Sequence, residues 1–106
     1  MPDYDTVNSK INAIEAEMRR LGWWREEPIP EEMYNFKMAF ALDTMPFQFW
    51  LQFVFIPKVH EIIAARGGFP RESHVAAQAV REFDGVDEAS DLIALLSDFD
   101  RYIVRA

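Results

Sequence analysis

The stretch DTMPFQFWLQFVFIPKVHEII, Asp43 to Ile63, decides the fold of this chain. From Phe47 to Ile56 its only polar residues are Gln48 and Gln52, and a proline follows directly. Three structures accommodate such a stretch: a membrane-spanning segment, a buried helix or an exposed binding face. A helix that crosses a bilayer needs roughly 20 apolar residues, and this run has only about half that length. We therefore expect either a core helix or a binding face.

The composition predicts one small globular domain. The chain has 106 residues, which suits a single domain over residues 1–106, and 50% of them are hydrophobic, which excludes general disorder. It has no cysteine, so a disulfide framework and thiolate chemistry are excluded. The N-terminal sequence MPDYDTVNSK lacks the basic and apolar regions of a secretory signal, and we expect a cytoplasmic protein. The formal net charge of -7 opposes unassisted binding to nucleic-acid phosphates and to anionic lipid.

Apolar residues at spacings of three and four predict four helices. The first is expected to be capped by Asp5 or Thr6 and to end at Gly22. The third and fourth are separated by a turn at Asp84–Gly85, and Asp87 is a good N-cap for the fourth. The first helix has one apolar stripe of Val7, Ile11, Ile14, Met18 and Leu21, and the third has Val75, Ala76, Ala79, Val80 and Phe83 at helical spacing. The expected buried stripe of the fourth is Leu92, Leu95, Leu96, Phe99 and Tyr102 or Ile103.

The second helix is the opening stretch, and it is apolar nearly all round, which is typical of burial on several sides. Asp43 or Thr44 is its expected N-cap. Pro57 lacks an N–H and crowds the carbonyl of Phe53, so we expect a kink or break at Ile56–Pro57. Its two expected apolar faces are Phe47, Trp50, Leu51 and Val54, and Phe49, Phe53 and Ile56.

The fold class that follows is all-α. We expect a compact four-helix bundle with a central, proline-kinked aromatic helix and a long ordered loop between the first two helices. That loop, Trp23 to Leu42, is unusually long for a bundle and carries several aromatic residues. Either it folds over the second helix and covers its other face, or some of its rings are exposed and form a partner surface.

The residues from Phe40 to His60, FALDTMPFQFWLQFVFIPKVH, carry an Asp-Thr-Met, a Trp-Leu-Gln and an Ile-Pro followed by lysine. This combination resembles the core signature of the YqcC-like family of small bacterial helical proteins. Trp24 and Pro28 also look like an upstream Trp and Pro of that family, and the resemblance extends to Gly68. It rests chiefly on Asp43, Thr44, Met45, Trp50, Leu51, Gln52, Ile56, Pro57 and Lys58.

The resemblance implies a compact helical bundle without an accepted enzymatic activity, so neither catalysis nor a cofactor is expected. The genes of the family often lie beside that of a tRNA pseudouridine synthase. This neighbourhood implies an accessory role in tRNA modification, although it is an association and does not specify a mechanism.

Polar and aromatic residues in and near the signature are candidates for partner contact. Asp43 and Thr44 are also explained as helix caps, and Gln52 as part of a solvated or hydrogen-bonded stripe. Arg25 and Lys58 flank apolar elements that are expected to pack together, so both are expected on one rim, facing a phosphate, an acidic partner or a structural carboxylate. The full set of candidates is Trp24, Arg25, Asp43, Thr44, Gln52 and Lys58.

Catalytic and metal-binding motifs are not formed by the sequence. His60–Glu61 does not continue as a zinc-hydrolase motif because residue 64 is Ala. Ser73 beside His74 is not a triad, because adjacent residues on a helix diverge. We expect no catalytic site and no metal site, and a small enzyme of unrecognised chemistry is the least favoured alternative.

The charges are distributed unevenly along the chain. The segment from Glu82 to Asp100 contains no lysine or arginine and is expected to form an acidic surface that is merely solvated or docks a basic protein. If the basic residues of the first half converge, the opposite end can touch phosphates; they are Arg19, Arg20, Arg25, Lys37 and Lys58. The favoured function is a protein-binding accessory of a tRNA pseudouridine synthase that touches tRNA weakly or indirectly. A direct RNA-binding module is the alternative, and a homodimer is left open.

Overall fold

The computed structural model describes residues 2–105, and every regular element within them is helical. A π-helical segment, Leu51–Phe55, joins two α-helices end to end, so that the three form one central helix. Short 3-10 turns lie at Glu31–Tyr34, Ala39–Ala41 and Asp87–Ala89. The α-helices are α1 (Tyr4–Arg20), α2 (Phe47–Trp50), α3 (Ile56–Ala65), α4 (Val75–Glu82) and α5 (Ser90–Arg105).

The central helix, α1, α4 and α5 form the predicted all-α four-helix bundle, which is therefore confirmed. Helix α1 packs against α5 and α3, and α4 packs against α5. None of the helices in the described part of the chain is long and apolar enough to cross a bilayer. The bundle encloses one main hydrophobic core, built from Val7, Ile11, Ile14 and Met18 of α1, Phe47, Leu51, Phe55, Ile56 and Val59 of the central helix, Val75 and Ala79 of α4, and Leu92, Leu96, Phe99 and Ile103 of α5.

Helix α1 begins two or three residues earlier than expected. Asp3 has an extended backbone and is the N-cap, because its carboxylate accepts hydrogen bonds from the backbone N–H and the hydroxyl of Thr6. Asp5 and Thr6 already lie within the helix, so the prediction that one of them is the cap was wrong. The predicted end is confirmed: Gly22 has a φ of 76°, which glycine adopts at no steric cost, and the N–H of Trp23 donates to the carbonyl of Met18.

The central helix begins after Pro46, whose backbone is extended and which supplies no side-chain cap. The prediction that Asp43 or Thr44 caps this helix was wrong. The chain turns sharply at Phe40 and Ala41, so both candidates lie in the preceding turn and their side chains point back to the loop.

Pro57 does not break the central helix at Ile56–Pro57, as one of our alternatives had it. The disturbance lies one turn earlier, in the π-helical segment, where the N–H of Ile56 donates to the carbonyl of Leu51, five residues back. A wider turn at this place moves the carbonyl of Phe53 away from the proline ring, which would collide with it in a regular α-helix. The proline thus changes the winding of the helix without ending it.

The long loop packs against the side of the central helix that faces away from the main core. It forms a second hydrophobic cluster, which confirms the interpretation that the loop covers this face. Val54 lies in the second cluster and Ile56 in the main core, so our division of the two faces was wrong at these residues. The second cluster contains buried Ile29, Ala41 and Met45, with Met33, Phe36, Phe49, Trp50, Phe53 and Val54 packed against them.

Candidate functional site

The buried side chain of Gln52 ties the start of the loop to the central helix. Gln52 lies in the π-helical segment and is 6% exposed. Its Oε1 accepts a hydrogen bond from the backbone N–H of Arg25 at 2.9 Å, and its Nε2 donates to the carbonyl of Arg25 at 2.7 Å. Both polar groups of the amide are therefore satisfied inside the protein. Gln52 holds Arg25 in place and does not present its side chain to a partner.

Asp43 and Thr44 hold the second half of the loop. The carboxylate of Asp43 accepts hydrogen bonds from the backbone N–H groups of Lys37 at 3.0 Å and Met38 at 3.4 Å. The bond from Lys37 is the main cause that lowers the pKa of Asp43 below its ordinary value of 3.8. Thr44 donates its hydroxyl to the carbonyl of Met33 at 2.6 Å. Asp43 and Thr44 therefore stabilise the conformation of the loop, and the loop forms one side of the surface described below.

The turn that Asp43 and Thr44 support is strained. Phe40 and Ala41 have φ angles of 59° and 54°, a conformation that costs residues other than glycine about 1–3 kcal/mol each. The N–H groups of Thr44 and Met45 both donate to the carbonyl of Ala41, and the ring of Phe40 lies 4.9 Å from that of Trp50. Packing and hydrogen bonds on both sides hold the turn in this conformation.

Trp24 and Arg25 lie where the loop leaves α1. The guanidinium of Arg19 lies 4.8 Å from the ring of Trp24, and that of Arg25 lies 5.2 Å from the ring of Phe49. Cations over aromatic faces at such distances are attracted by the ring electrons. Arg25 is exposed, so its charge remains available at the surface.

An open groove of about 530 Å³ lies between the loop and the central helix, and we call it the loop groove. Tyr34, which is 46% exposed, lies on the loop side, and Phe53 and Pro57 lie on the helix side. The charged residues Lys58 and Glu61 stand at its edge. An apolar floor with one charge of each sign at the rim suits an apolar side chain of a protein partner. The residues that line the loop groove are Tyr34, Phe36, Phe53, Val54, Pro57, Lys58 and Glu61.

The structure brings only some of the candidates to this surface. Lys58 lines the loop groove, and Arg25 stacks on Phe49, whose ring centroid lies 6.2 Å from that of Phe53 in the groove. Gln52, Asp43 and Thr44 support the surface from behind through the contacts given above. Trp24 packs against the main core beside α1.

The basic residues of the first half do not form one free cationic end. Arg19 forms ion pairs with Glu15 at 3.0 Å and Glu26 at 3.5 Å. Arg20 forms a bidentate pair with Glu17, which lowers the pKa of that carboxyl and raises the pKa of the guanidinium. Two of the five basic residues are thus already neutralised by neighbours, which weakens the case for a phosphate-binding end.

Within residues 2–105 no three histidine, aspartate or glutamate side chains are grouped as metal ligands. Sequence reasoning allowed for exposed rings in the loop and named Lys58, but it did not bring the two together in one groove, because tertiary packing sets which residues lie opposite each other. The unusual density of aromatic residues in the loop was the one signal that pointed to it.

A family model described as DUF446, tRNA pseudouridine synthase C, matches residues 6–102 of this chain. Among solved structures, the solution NMR structure of the protein YqcC from E. coli is similar, with a TM-score of 0.83 and 26% identity. The similarity covers 99% of this chain and 91% of that protein.

Relatives with curated names are of two kinds. The chain is 35% identical over 77 residues to "Uncharacterized protein YqcC" of Escherichia coli, covering 72% of this chain and 70% of that protein. An "Uncharacterized protein" of Haemophilus influenzae is 26% identical over 89 residues, covering 80% of this chain and 84% of that protein. A third relative, "tRNA pseudouridine synthase C" of Pectobacterium carotovorum, is 35% identical over 65 residues; the match covers 61% of this chain but spans only 17% of that protein.

Proposed function

The chain belongs to the YqcC-like family, and from this membership we propose that it is an accessory protein that binds a tRNA pseudouridine synthase through protein–protein contact. On this proposal the protein contributes a contact surface, and the modification chemistry belongs to the partner.

The observation that carries the proposal is the difference in coverage between two relatives. Sequence of this kind makes up most of the E. coli protein, but it is a small part of the much longer Pectobacterium protein named tRNA pseudouridine synthase C. A covalent link replaces a binding equilibrium by a high effective concentration of one module beside the other. A module that is joined to an enzyme in one organism is therefore a reasonable binding partner of a separate enzyme in another.

The loop groove supports the proposal with a suitable surface. Protein interfaces are enriched in aromatic residues at their centre and have polar rims, and Tyr34, Phe53, Lys58 and Glu61 follow this arrangement. The loop is tied down by Gln52 and Asp43, so little conformational entropy would be lost when a partner binds.

The proposal is tested by co-expressing the protein with the tRNA pseudouridine synthase of the same organism. After treatment with ribonuclease, the two are separated by size-exclusion chromatography with light scattering, and their affinity is measured by calorimetry. We expect a complex that survives ribonuclease. Complete loss of association after ribonuclease would contradict the proposal and favour the alternative of direct RNA binding. Absence of association before and after the treatment would contradict both.

The place of contact is tested with a matched pair of double variants. Tyr34→Ala with Lys58→Glu removes a ring and reverses a charge in the loop groove, and we expect the affinity to fall about tenfold or more. Val80→Ala with Arg71→Glu truncates an exposed apolar side chain and reverses a charge outside this groove, and it should leave affinity nearly unchanged. If both pairs weaken the complex equally, the loop groove is not the contact. Pseudouridine content of tRNA in cells that carry each variant gives the functional readout.

A further inference from the structure

A second groove, of about 370 Å³, lies where the loop leaves α1 beside the amino end of the central helix and the carboxyl end of α4. Its aromatic floor is continuous: the ring of Phe83 lies 5.0 Å from that of Trp23 and 5.6 Å from that of Phe47. Trp23 is half-buried, so part of its ring faces solvent. We call this the acidic groove, and its defining residues are Trp23, Phe47, Phe83, Val86, Glu82 and Glu88.

The acidic groove has carboxylates at its rim and a strongly negative surround. Glu82 and Glu88 are both exposed at the groove, and exposed Asp84, Asp87 and Asp91 lie nearby along the chain. Among the described residues that line the groove there is no lysine or arginine, although Arg81 directly precedes Glu82 in the chain. Phe83 follows the carboxyl end of α4, where the helix dipole adds partial negative charge.

We propose that the acidic groove binds the side chain of an arginine presented by a basic segment of a partner protein. A guanidinium is planar and weakly hydrated, so its face can stack on Trp23 while its N–H groups reach carboxylates. Its methylene stem needs apolar surface, which half-buried Val86 supplies together with the small exposed edge of Phe83. A lysine has no planar group to stack and is more strongly hydrated, so arginine fits this combination better.

This inference rests on the proposed function only for the identity of the partner protein that carries the basic segment. An enzyme that binds tRNA needs cationic surface to hold phosphates, and part of such a surface matches the acidic groove in charge. The arginine preference itself stands on the geometry of the groove, and a peptide can test it without the enzyme.

The competing explanation is that the carboxylates only stabilise helix ends. Glu88 lies in the 3-10 turn that leads into α5, and Glu82 accepts a hydrogen bond from Gln78 at 3.0 Å. Negative charge at the start of a helix is favourable without any ligand. Loss of stability on its own would therefore not distinguish the two roles, and the test must measure binding.

The probe is a synthetic peptide of alternating arginine and glycine, titrated into the full chain while the indole N–H resonance of Trp23 is followed by NMR. A peptide with lysine in place of arginine has the same charge and serves as the comparison. We expect saturable movement of the Trp23 resonance with the arginine peptide and binding that is several-fold weaker with the lysine peptide. Equal affinity for both peptides, or no movement of the Trp23 resonance, would overturn the proposal.

The site is assigned with charge-matched variants. Glu82→Gln with Glu88→Gln should weaken binding of the arginine peptide about tenfold or more. Glu31→Gln with Glu32→Gln changes the net charge equally at exposed residues of the loop and should have at most a twofold effect. Equal losses from the two pairs would mean that only the overall charge matters. A first pair that lowers the melting temperature but leaves binding unchanged would assign the carboxylates to helix stability and overturn the site.

Discussion

At the scale of single residues, polar side chains in this protein mostly hold backbone groups. Gln52 pairs with the backbone of Arg25, Asp43 with that of Lys37, and Asp100 of α5 with the N–H of Ala76 at 2.7 Å. Each of these backbone groups is distant in sequence from the side chain or lies in a loop. The side chain supplies the hydrogen bond that a helix or strand would otherwise provide. None of these roles follows from residue type alone.

Replacing Gln52 by Leu should destabilise the protein by about 1–3 kcal/mol, because the N–H and carbonyl of Arg25 would lose their partners next to an apolar side chain. Urea unfolding followed by tryptophan fluorescence measures the change. Gln48→Leu is the control, since Gln48 lies one turn earlier and is only half-buried. If the two variants are equally stable, the pairing of Gln52 with the loop contributes nothing.

Asp43 should make stability depend on pH. Its pKa in the folded state is lowered by the hydrogen bonds that it accepts, so its stabilising contribution is complete above the ordinary value of 3.8 and is lost as the pH falls through the lower folded-state pKa. The melting temperatures of the wild type and Asp43→Asn should therefore differ at neutral pH and converge in strong acid. Asp84→Asn, at an exposed turn, is the control for the loss of one negative charge. A difference between wild type and Asp43→Asn that stays constant as the pH falls would contradict this account.

At the scale of elements, the π-helical segment explains which residues of the central helix are buried. Phe47, Leu51, Phe55 and Val59 all face the main core at intervals of four. In a regular α-helix four residues turn by more than one full turn, so this series would drift off the core. The wider π turn between Leu51 and Phe55 compensates for the drift.

The sequence predicted the four helices, the core stripe of α1 and the loop that covers the central helix. These predictions succeeded because apolar residues at helical spacing, and a high density of aromatic residues, are both typical of buried segments. It did not predict the changed faces at Val54 and Ile56, since a regular helical repeat was assumed on both sides of Pro57. The interval of four between Phe47, Leu51, Phe55 and Val59 was the available signal. The aromatic density of the loop indicated exposed rings, but the position of Tyr34 opposite Phe53 and Pro57 in the loop groove is set by tertiary packing and was not predicted.

Trp50 joins the two hydrophobic clusters, with its ring 5.6 Å from Phe47, 5.5 Å from Phe55 and 4.9 Å from Phe40. Trp50→Ala should cost about 3 kcal/mol, near the lower end for such a truncation because the side chain is only half-buried. Thermal and urea unfolding measure the loss, and Val80→Ala on the exposed face of α4 should change stability by less than about 0.5 kcal/mol. An unchanged unfolding midpoint for Trp50→Ala would show that the ring does not support the loop.

At the scale of the whole molecule, negative charge is the dominant property. The net charge is -7, and exposed Glu82 and Glu88 lie at the rim of the acidic groove. In the first half of the chain, Arg19 forms ion pairs with Glu15 and Glu26, and Arg20 forms an ion pair with Glu17. Such a molecule is suited to approach a cationic protein more readily than a nucleic acid.

Binding of the free protein to tRNA should accordingly be weak and should fall steeply when salt is raised from about 50 to 200 mM. Fluorescence anisotropy with labelled tRNA measures both the affinity and its salt dependence, and the double variant Arg25→Glu with Lys58→Glu should reduce the remaining binding further. Tight binding that barely changes with salt would contradict this expectation and favour stacking of bases on exposed rings.

The hydrogen bond between the backbone N–H of Asp3 and the hydroxyl of Tyr102, at 3.0 Å, has a consequence for the topology of the chain. It places the start of α1 beside the last turn of α5, so a short linker could close the bundle into a ring. Circular permutation is tolerated where the residues to be joined lie this close, and a new opening between exposed Arg71 and Glu72 would cut no helix. Because Asp3 and Tyr102 lie side by side, the bundle could also be inserted into a surface turn of another protein. The two residues that flank the insertion would then remain close to each other.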